Sequence, residues 1–189
     1  MLGVIPSIGY AFVMQGVSDE QLMKQYAAGN MRAFESLYER FRGPLFRYFQ
    51  RQIRDPATVN DLYQGSWEKL IKARTSYRPS VPFRAWLFRI AHNHMVDHFR
   101  ANRIFEPLKP EQFASSENEP GEQIDQDQQL KRFYAALKKL PDEQKDALLL
   151  KLEAGLGLLE IGRVTGVEYE TVKSRLRYAA AKLKRSLNT

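Results

Sequence analysis

The 189-residue chain carries 29 Lys and Arg residues against 22 Asp and Glu residues, which gives a formal net charge of +7 at pH 7. Its 43% hydrophobic and 27% charged residues indicate a folded chain with room for one large domain or two small ones, and they exclude a disordered chain. The absence of cysteine excludes disulfides and thiolate metal sites, while the positive charge favours an anionic partner, with nucleic acid ahead of a membrane surface.

Residues 1–17 are expected to be a disordered extension or the product of a wrongly assigned start codon, because Met14 is a second candidate start. The stretch up to Met14 is apolar, contains Pro6 and has no Lys or Arg. It therefore fits neither a secretory signal nor a membrane-spanning helix. We expect a cytoplasmic protein with no membrane insertion.

The first half of the chain is predicted to be helical. Ser18-Asp19-Glu20-Gln21 has the form of a capping box, so a helix should begin at about Asp19. Apolar residues recur at helical spacing as far as Gly43-Pro44, with an interruption near Gly29-Asn30. Further helices are predicted from about Leu45 to Ile53, from about Thr58 to Ala73, and from Phe83 to about Asn102. Two closely spaced prolines, Pro79 and Pro82, predict a loop over 77–82.

The composition changes after Ile104. Residues 106–127 contain seven acidic side chains against one basic one, a charge of about −6, which leaves about +13 on the rest of the chain. Three prolines and few apolar residues predict an extended acidic linker over 105–128. Helical periodicity resumes at Leu130, and no segment shows the convincing alternation of apolar and polar residues that a strand would have. We therefore predict an all-α fold of two small domains, with four helices in 18–104 and a helix-turn-helix in 129–189.

Residues 158–177 predict the helix-turn-helix. Gly166 suits a tight helix exit, Gly162 is small where two helices meet, and apolar residues are spaced to bury both helices together. Lys173, Ser174 and Arg177 then lie on the exposed side of the second helix, as in a recognition helix that enters the major groove. The alternative is an ordinary helical hairpin with a solvated basic face.

Four segments in this order resemble the extracytoplasmic function (ECF) group of bacterial sigma factors, over about residues 18–187. They are DLYQ at 61–64 followed by Trp67, PFRAWLFRIAHN at 82–93 with Asp97 and Arg100 beyond it, LPDEQ at 140–144, and TVKSRL at 171–176. The resemblance implies a protein that binds core RNA polymerase and directs it to promoter DNA. No enzyme and no cofactor are expected, because the sequence has no cysteine, no G-x-S-x-G motif and no phosphate-binding glycine loop. The first domain would hold and open the −10 element, and the second would read the −35 element.

The resemblance also implies the site residues. At the −35 element, Thr171, Lys173, Ser174 and Arg177 match major-groove positions, and Arg175 and Tyr178 suit phosphates. At the −10 element the candidates are Tyr77, Arg78, Arg84, Arg89, Asn93 and Arg100, with Tyr77 and Asn93 lining a pocket for a flipped base. The acidic linker would lie in channels of the polymerase. Its composition alone is equally consistent with a solvated tether that makes no contacts.

The surface implied to meet the clamp helices of the largest polymerase subunit comprises Asp61, Leu62, Gln64 and Glu68, and a second contact would be the flap region. Three positions that are commonly acidic in the family are Thr58, Asn60 and Gly65 here, so core binding should be weak unaided. We hypothesise that phosphorylation of Thr58, or less favourably of Ser66, supplies the missing charge. A protein kinase and an anti-sigma factor are thus the candidate regulatory partners.

Other functions have less support. His94 and His98 have a spacing that can bind zinc, but no third ligand follows at a useful spacing, so no metal site is expected. These histidines, with His92, are instead expected on a solvated or DNA-facing side. A stand-alone helix-turn-helix regulator with a helical sensor domain, or an adaptor that docks on polymerase without reading DNA, remains an alternative.

Overall fold

The computed structural model describes residues 16–105 and 126–187. Within these ranges there are eight α-helices and no strands, so the prediction of an all-helical fold is confirmed. The helices are α1 (Asp19–Ala27), α2 (Met31–Gln50), α3 (Pro56–Ala73), α4 (Phe83–Phe105), α5 (Gln126–Lys138), α6 (Asp142–Leu152), α7 (Leu158–Thr165) and α8 (Tyr169–Leu187). The expectations for residues 1–15 and for the acidic stretch 106–125 lie outside the described residues.

Side-chain caps begin the first three helices. Ser18 Oγ accepts a hydrogen bond from the Gln21 backbone N–H at 3.2 Å, and the Gln21 side chain accepts one from the Ser18 N–H at 3.3 Å, so the predicted capping box is confirmed. Asn30 caps α2 through the N–H groups of residues 32 and 33. Asp55 caps α3, whose first residue is Pro56, where the missing N–H costs nothing.

The predicted break at Gly43-Pro44 is wrong, because α2 continues through both residues to Gln50. Pro44 removes one helical hydrogen bond, a loss that usually kinks or ends a helix. Here Phe41, Leu45 and Phe49, on the turns either side of it, are all buried in the core. Tertiary packing of this apolar face therefore outweighs the local preference.

The helices form two units, α1–α4 and α5–α8. In the first, α2 packs on α1 and α3, and α3 packs on α4; in the second, α8 packs on α5, α6 and α7. Contacts also join the units, because α4 packs against α7. The sequence predicts two helical domains joined by a linker, and the structure adds a direct contact between the two units. Among the described residues, no helix is both long enough and apolar enough to cross a membrane.

Candidate nucleic-acid interface

Two glycines shape the turn between α7 and α8. Gly166 has φ +71° and ψ 27°, the left-handed conformation that ends α7 at low cost only for glycine. A Cβ on Gly162 would lie 2.7 Å from the carbonyl oxygen of Val167, so the turn can approach α7 only because this residue has no side chain. Ile161 and Val172 are fully buried between the helices. The predicted pair of helices around a tight glycine turn is thus confirmed.

The first turns of α8 present a cationic face. Thr171, Lys173 and Arg177 are exposed, and Lys173 and Arg177 lie one helical turn apart on the same side. Tyr178 is 54% exposed, and the Arg177 guanidinium lies 5.0 Å from the centre of its ring. This stacking holds an arginine and an aromatic side chain together at the surface, where both can reach a nucleic acid.

Two predicted contacts of α8 are less accessible. Ser174 is half-buried, and its hydroxyl donates to the carbonyl of Thr171 at 2.9 Å. Arg175 is also half-buried and lies 3.8 Å from the carboxylate of Glu143 on α6. Arg175 therefore lies on the side of α8 that faces α6, away from the face that carries Arg177.

The predicted loop before α4 is organised by Tyr77. This residue is buried, its hydroxyl donates to the carbonyl of Val81 at 2.8 Å, and its ring packs 5.0 Å from that of Trp86. Burial, followed by the charges of Glu20 and Asp19, raises the pKa of Tyr77 to about 12, so the hydroxyl stays a donor. In this conformation Tyr77 is the core of the loop and its ring does not line an open pocket.

The remaining predicted −10 residues divide between two sides of α4. At about 100° per residue, Arg89, Asn93 and Arg100 fall on one side of the helix, and all three are exposed. Arg84 falls on the opposite side, where its guanidinium lies 3.9 Å from Asp19 of α1. Arg78 is exposed in the loop and donates to the carbonyls of residues 75 and 77. The structure thus groups three of the four predicted residues of α4.

The predicted polymerase-binding face of α3 is only partly at the surface. Asp61, Gln64 and Glu68 are exposed at helical spacing. Leu62 is 2% exposed and packs in the core, so its assignment to a docking surface is wrong. Leu62 was assigned to this surface because it belongs to the DLYQ segment, but in the structure its side chain faces the core while Asp61 and Gln64 face outward.

The glycine at position 65 has a structural cause that sequence reasoning missed. A Cβ there would lie 2.4 Å from Cε1 of His94, whose ring covers this part of α3. Burial, then the charge of Lys69, lowers the pKa of His94, so the ring is neutral near pH 7. The imidazole that α4 places against residue 65 therefore leaves no room there for a side chain.

The structure opposes the proposed phosphorylation of Ser66 and leaves that of Thr58 a hypothesis. Ser66 is completely buried, and its hydroxyl donates to the carbonyl of Leu62 at 2.7 Å, so a kinase cannot reach it in the folded protein. The Thr58 hydroxyl donates to the carboxylate of Asp55, the residue that caps α3. A phosphate on Thr58 would place like charge beside this cap and remove the bond.

The expectation that the histidines line a solvated or DNA-facing side is wrong for two of them. His92 is turned toward the second unit, with its Nδ1 3.1 Å from Oδ2 of Asp146, and His94 lies over Gly65. His98 Nε2 lies 2.9 Å from the side-chain amide nitrogen of Asn102. Within 16–105 and 126–187, no group of three or more His, Asp or Glu side chains is placed to hold a metal ion.

Two family models match this chain, one within each of the two helical units. Residues 37–104 match the family Sigma-70 region 2, and residues 130–183 match Sigma-70, region 4. The chain is 31% identical over 177 residues to the RNA polymerase sigma factor CnrH of Cupriavidus metallidurans, covering 88% of this chain and 92% of that protein. It is 27% identical to the ECF RNA polymerase sigma factor SigM of Mycobacterium tuberculosis, covering 98% of this chain and 92% of that one.

Two solved structures share the fold. CnrH in complex with the cytosolic domain of CnrY has a TM-score of 0.66 at 28% identity, covering 90% of this chain and 97% of that chain. The sigma factor RpoE of Bartonella quintana, solved with the anti-sigma factor NepR, has a TM-score of 0.67 at 21% identity, covering 82% and 97%.

Proposed function

This chain belongs to the sigma-70 family of RNA polymerase sigma factors, in the ECF group, and from that premise we propose how its two helical units divide the work. The unit within 129–189 reads the −35 element as duplex, and the unit within 18–104 captures the −10 element. Residues 105–128 connect them. The observation that carries this proposal is the exposed pair Lys173 and Arg177 on α8, directly after the left-handed Gly166.

At the −35 element, α8 enters the major groove. Lys173 and Arg177 donate to base edges, because arginine and lysine pair well with the acceptors of guanine, and Thr171 and Ser174 add shorter contacts. Tyr178 and Arg175 contact phosphates, which fix the position of the helix without reading sequence. Arg175 needs to release Glu143 for this, and its 3.8 Å separation from that carboxylate is long for an ion pair.

At the −10 element, the exposed side of α4 holds the opened strand. Arg89 and Arg100 neutralise phosphates, and Asn93 between them offers an amide donor and acceptor to a base. Arg78 extends this surface from the preceding loop. Tyr77 acts indirectly, by holding the loop in shape with its bond to Val81.

Core polymerase docks on the exposed side of α3, through Asp61, Gln64 and Glu68 against the clamp helices of its largest subunit, and the flap region meets the second unit. Two carboxylates in this set make a weakly charged surface. Since the similar CnrH was solved with the cytosolic domain of a second protein, we propose a protein partner of the anti-sigma type, rather than a kinase, as the regulator of this chain. The protein acts in the cytoplasm, with no enzymatic step of its own.

The test is run-off transcription on a pool of promoter sequences, with core polymerase present or absent. We expect specific transcripts only when the full chain and the core enzyme are both present. Lys173→Ala/Arg177→Ala should abolish promoter selection, whereas the matched pair Lys138→Ala/Lys139→Ala, which removes two exposed cations from the same unit, should retain it. Tight binding of closed duplex by the purified chain alone would favour a stand-alone regulator, and full activity of Lys173→Ala/Arg177→Ala would favour an adaptor.

A further inference from the structure

The ring of His94 lies against the middle of the exposed side of α3. Residue 65 comes four positions after Asp61 and three before Glu68, so along this side of the helix it falls between two exposed carboxylates. Gly65 has no side chain, and a Cβ there would overlap Cε1 of His94. A partner that docks on this side of α3 therefore meets an imidazole from α4 where it would otherwise meet a side chain of residue 65.

The edge of the imidazole is turned toward α3. Cε1 is the ring atom nearest to the position of a Cβ on Gly65, and Nδ1 and Nε2 of His94 are each 3.3 Å from the same point. Nδ1 is buried and has no hydrogen-bond partner among the described residues, whereas the residue as a whole is only half-buried. Because Nδ1 is enclosed, Nε2 is the nitrogen available to a partner.

The charges around His94 keep its ring neutral near pH 7. Burial, then the charge of Lys69 on α3, lowers the pKa of His94, and His98 on α4 acts in the same direction. The carbonyl of Leu62 and the carboxylate of Asp97 act against these effects without reversing the shift. A neutral imidazole has one nitrogen that donates a hydrogen bond and one that accepts. The ring thus adds a hydrogen-bonding group, and no charge, to the exposed side of α3.

The surrounding charges also determine what kind of partner fits this side. Asp61 and Glu68 are exposed carboxylates, and a cationic partner surface is complementary to them. The unprotonated nitrogen of a neutral imidazole can accept a hydrogen bond from a lysine or arginine of such a partner. A protonated His94 has no acceptor, and its charge would add to that of Lys69 and repel the same partner. The neutral ring therefore suits a cationic surface, and the charged ring does not.

We propose that His94 is a polymerase-binding residue of this chain, whose Nε2 accepts a hydrogen bond from a cationic side chain of the clamp helices at the place left empty by Gly65. This proposal rests on the proposed function, since it concerns the same docking side of α3. It adds to Asp61, Gln64 and Glu68 a residue from a different helix, which the sequence of α3 alone does not indicate. Docking by the neutral ring makes the affinity for core polymerase sensitive to acid.

The position of His94 on α4 separates this role from DNA binding. At about 100° per residue, His94 points away from the side that Arg89, Asn93 and Arg100 share. A substitution of His94 should therefore change docking on core polymerase and leave the capture of the −10 strand by the assembled enzyme unchanged. These two readouts can be measured on the same complex.

Two substitutions that keep the space over Gly65 filled distinguish a contact from simple packing. His94→Gln keeps a hydrogen-bond acceptor, and His94→Phe keeps a ring without a nitrogen. Core polymerase is titrated into the fluorescently labelled full chain, and binding is followed by anisotropy. At pH 7.5 we expect His94→Phe to weaken binding about tenfold, as for a lost hydrogen bond to a charged group, and His94→Gln to weaken it by less than about threefold. Equal affinity of His94→Phe and the unchanged chain would overturn the proposal.

The pH profile is a readout that a packing role would not move. As the pH falls below the ordinary value of 6.5 and through the lowered pKa of His94, the ring gains a proton and loses its acceptor. The unchanged chain should then bind at least about threefold more weakly at pH 5.5 than at pH 7.5. His94→Gln should lose this difference, whereas His98→Gln, which removes an imidazole one turn further along α4, should keep it. The opposite pattern in these two variants would overturn the proposal.

Failure of the proposed function gives a different result from failure of this inference. If the unchanged chain does not bind core polymerase at either pH, the docking role of α3 is wrong, and the role of His94 with it. If every variant binds equally well at both pH values, docking remains and only the role of His94 is overturned. At saturating core polymerase, His94→Phe should give the same permanganate reactivity of −10 thymines as the unchanged chain. A loss there would place His94 among the DNA contacts instead and overturn the proposal.

Discussion

The carboxylate of Glu20 on α1 accepts a hydrogen bond from the backbone N–H of Phe83, the first residue of α4, at 2.9 Å. The first helix of the chain therefore caps the helix that carries the proposed −10 contacts, although 63 positions separate the two residues in sequence. An N–H in the first turn of a helix has no partner within that helix, so a side chain from elsewhere has to supply one.

Removal of this cap should destabilise the first unit. Glu20→Ala is expected to lower the free energy of unfolding by about 1 kcal/mol, as for other lost N-terminal caps, measured by urea denaturation of the full chain. Glu20→Gln keeps an acceptor and should lose less. Identical urea midpoints for Glu20→Ala and the unchanged protein would contradict the role of Glu20 as the cap of α4.

The same contact predicts a dependence on pH. Burial by itself would raise the pKa of Glu20. Hydrogen bonds from Phe83 and Ser18 and the charge of Arg84 outweigh this effect and lower the pKa below 4.5. Because the folded-state pKa lies below the unfolded one, the stabilisation is fully present above pH 4.5 and is lost as the pH falls through the folded-state value. In Glu20→Gln this part of the acid sensitivity should disappear, which denaturation at pH 3 and pH 6 can measure.

Gly65 and His94 should behave as a coupled pair. Gly65→Ala places a Cβ 2.4 Å from the His94 ring, and overpacking of this kind typically costs about 1–3 kcal/mol. His94→Ala opens the space, so the double variant should recover most of the loss; a double-mutant cycle by thermal denaturation measures the coupling. If the losses of stability caused by Gly65→Ala and His94→Ala simply add in the double variant, the predicted coupling between the two positions is wrong.

Tyr77→Phe should weaken promoter opening without affecting duplex binding. The change keeps the ring packed against Trp86 but removes the hydrogen bond to Val81, a loss of about 1 kcal/mol in loop stability. We expect fewer permanganate-reactive thymines at the −10 element in the presence of core polymerase. Binding to a −35 duplex in the same complex should be unchanged, and a loss there would indicate general unfolding instead.

Thr58→Glu should not imitate an activating phosphate. The Thr58 side chain, and then its backbone N–H, lower the pKa of Asp55 by hydrogen bonding, so this cap is a carboxylate near neutral pH. A second carboxylate beside it should reduce the melting temperature and leave core-polymerase affinity no higher than that of Thr58→Val. Tighter core binding by Thr58→Glu alone would restore the phosphorylation hypothesis.

Local signals predicted the parts of this fold that depend on local physics. The capping box at Ser18 and the left-handed turn at Gly166 are encoded within a few residues, and both are present in the structure. The exposure of Lys173 and Arg177 follows from the period of α8. These positions could be assigned before any tertiary contact was known.

Long-range packing determines what the sequence did not predict. Pro44 lies inside α2 because the turns around it are buried, and Ser66 is hidden because α3 packs between α2 and α4. Asp146 and Glu153 resemble ordinary surface carboxylates in the sequence, since nothing near them in the chain indicates that partners 98 and 106 positions away contact them. Their assignment needs the arrangement of both units.

The contact between Gly65 and His94 has a consequence for anyone who wishes to retune this protein. Adding an acid at position 65 is the obvious way to strengthen attachment to the transcription machinery, but the space for it belongs to the helix assigned to strand capture. The affinity for core polymerase and the affinity for promoter DNA therefore cannot be changed independently at this contact. An engineer, like natural selection, would have to change residues 65 and 94 together.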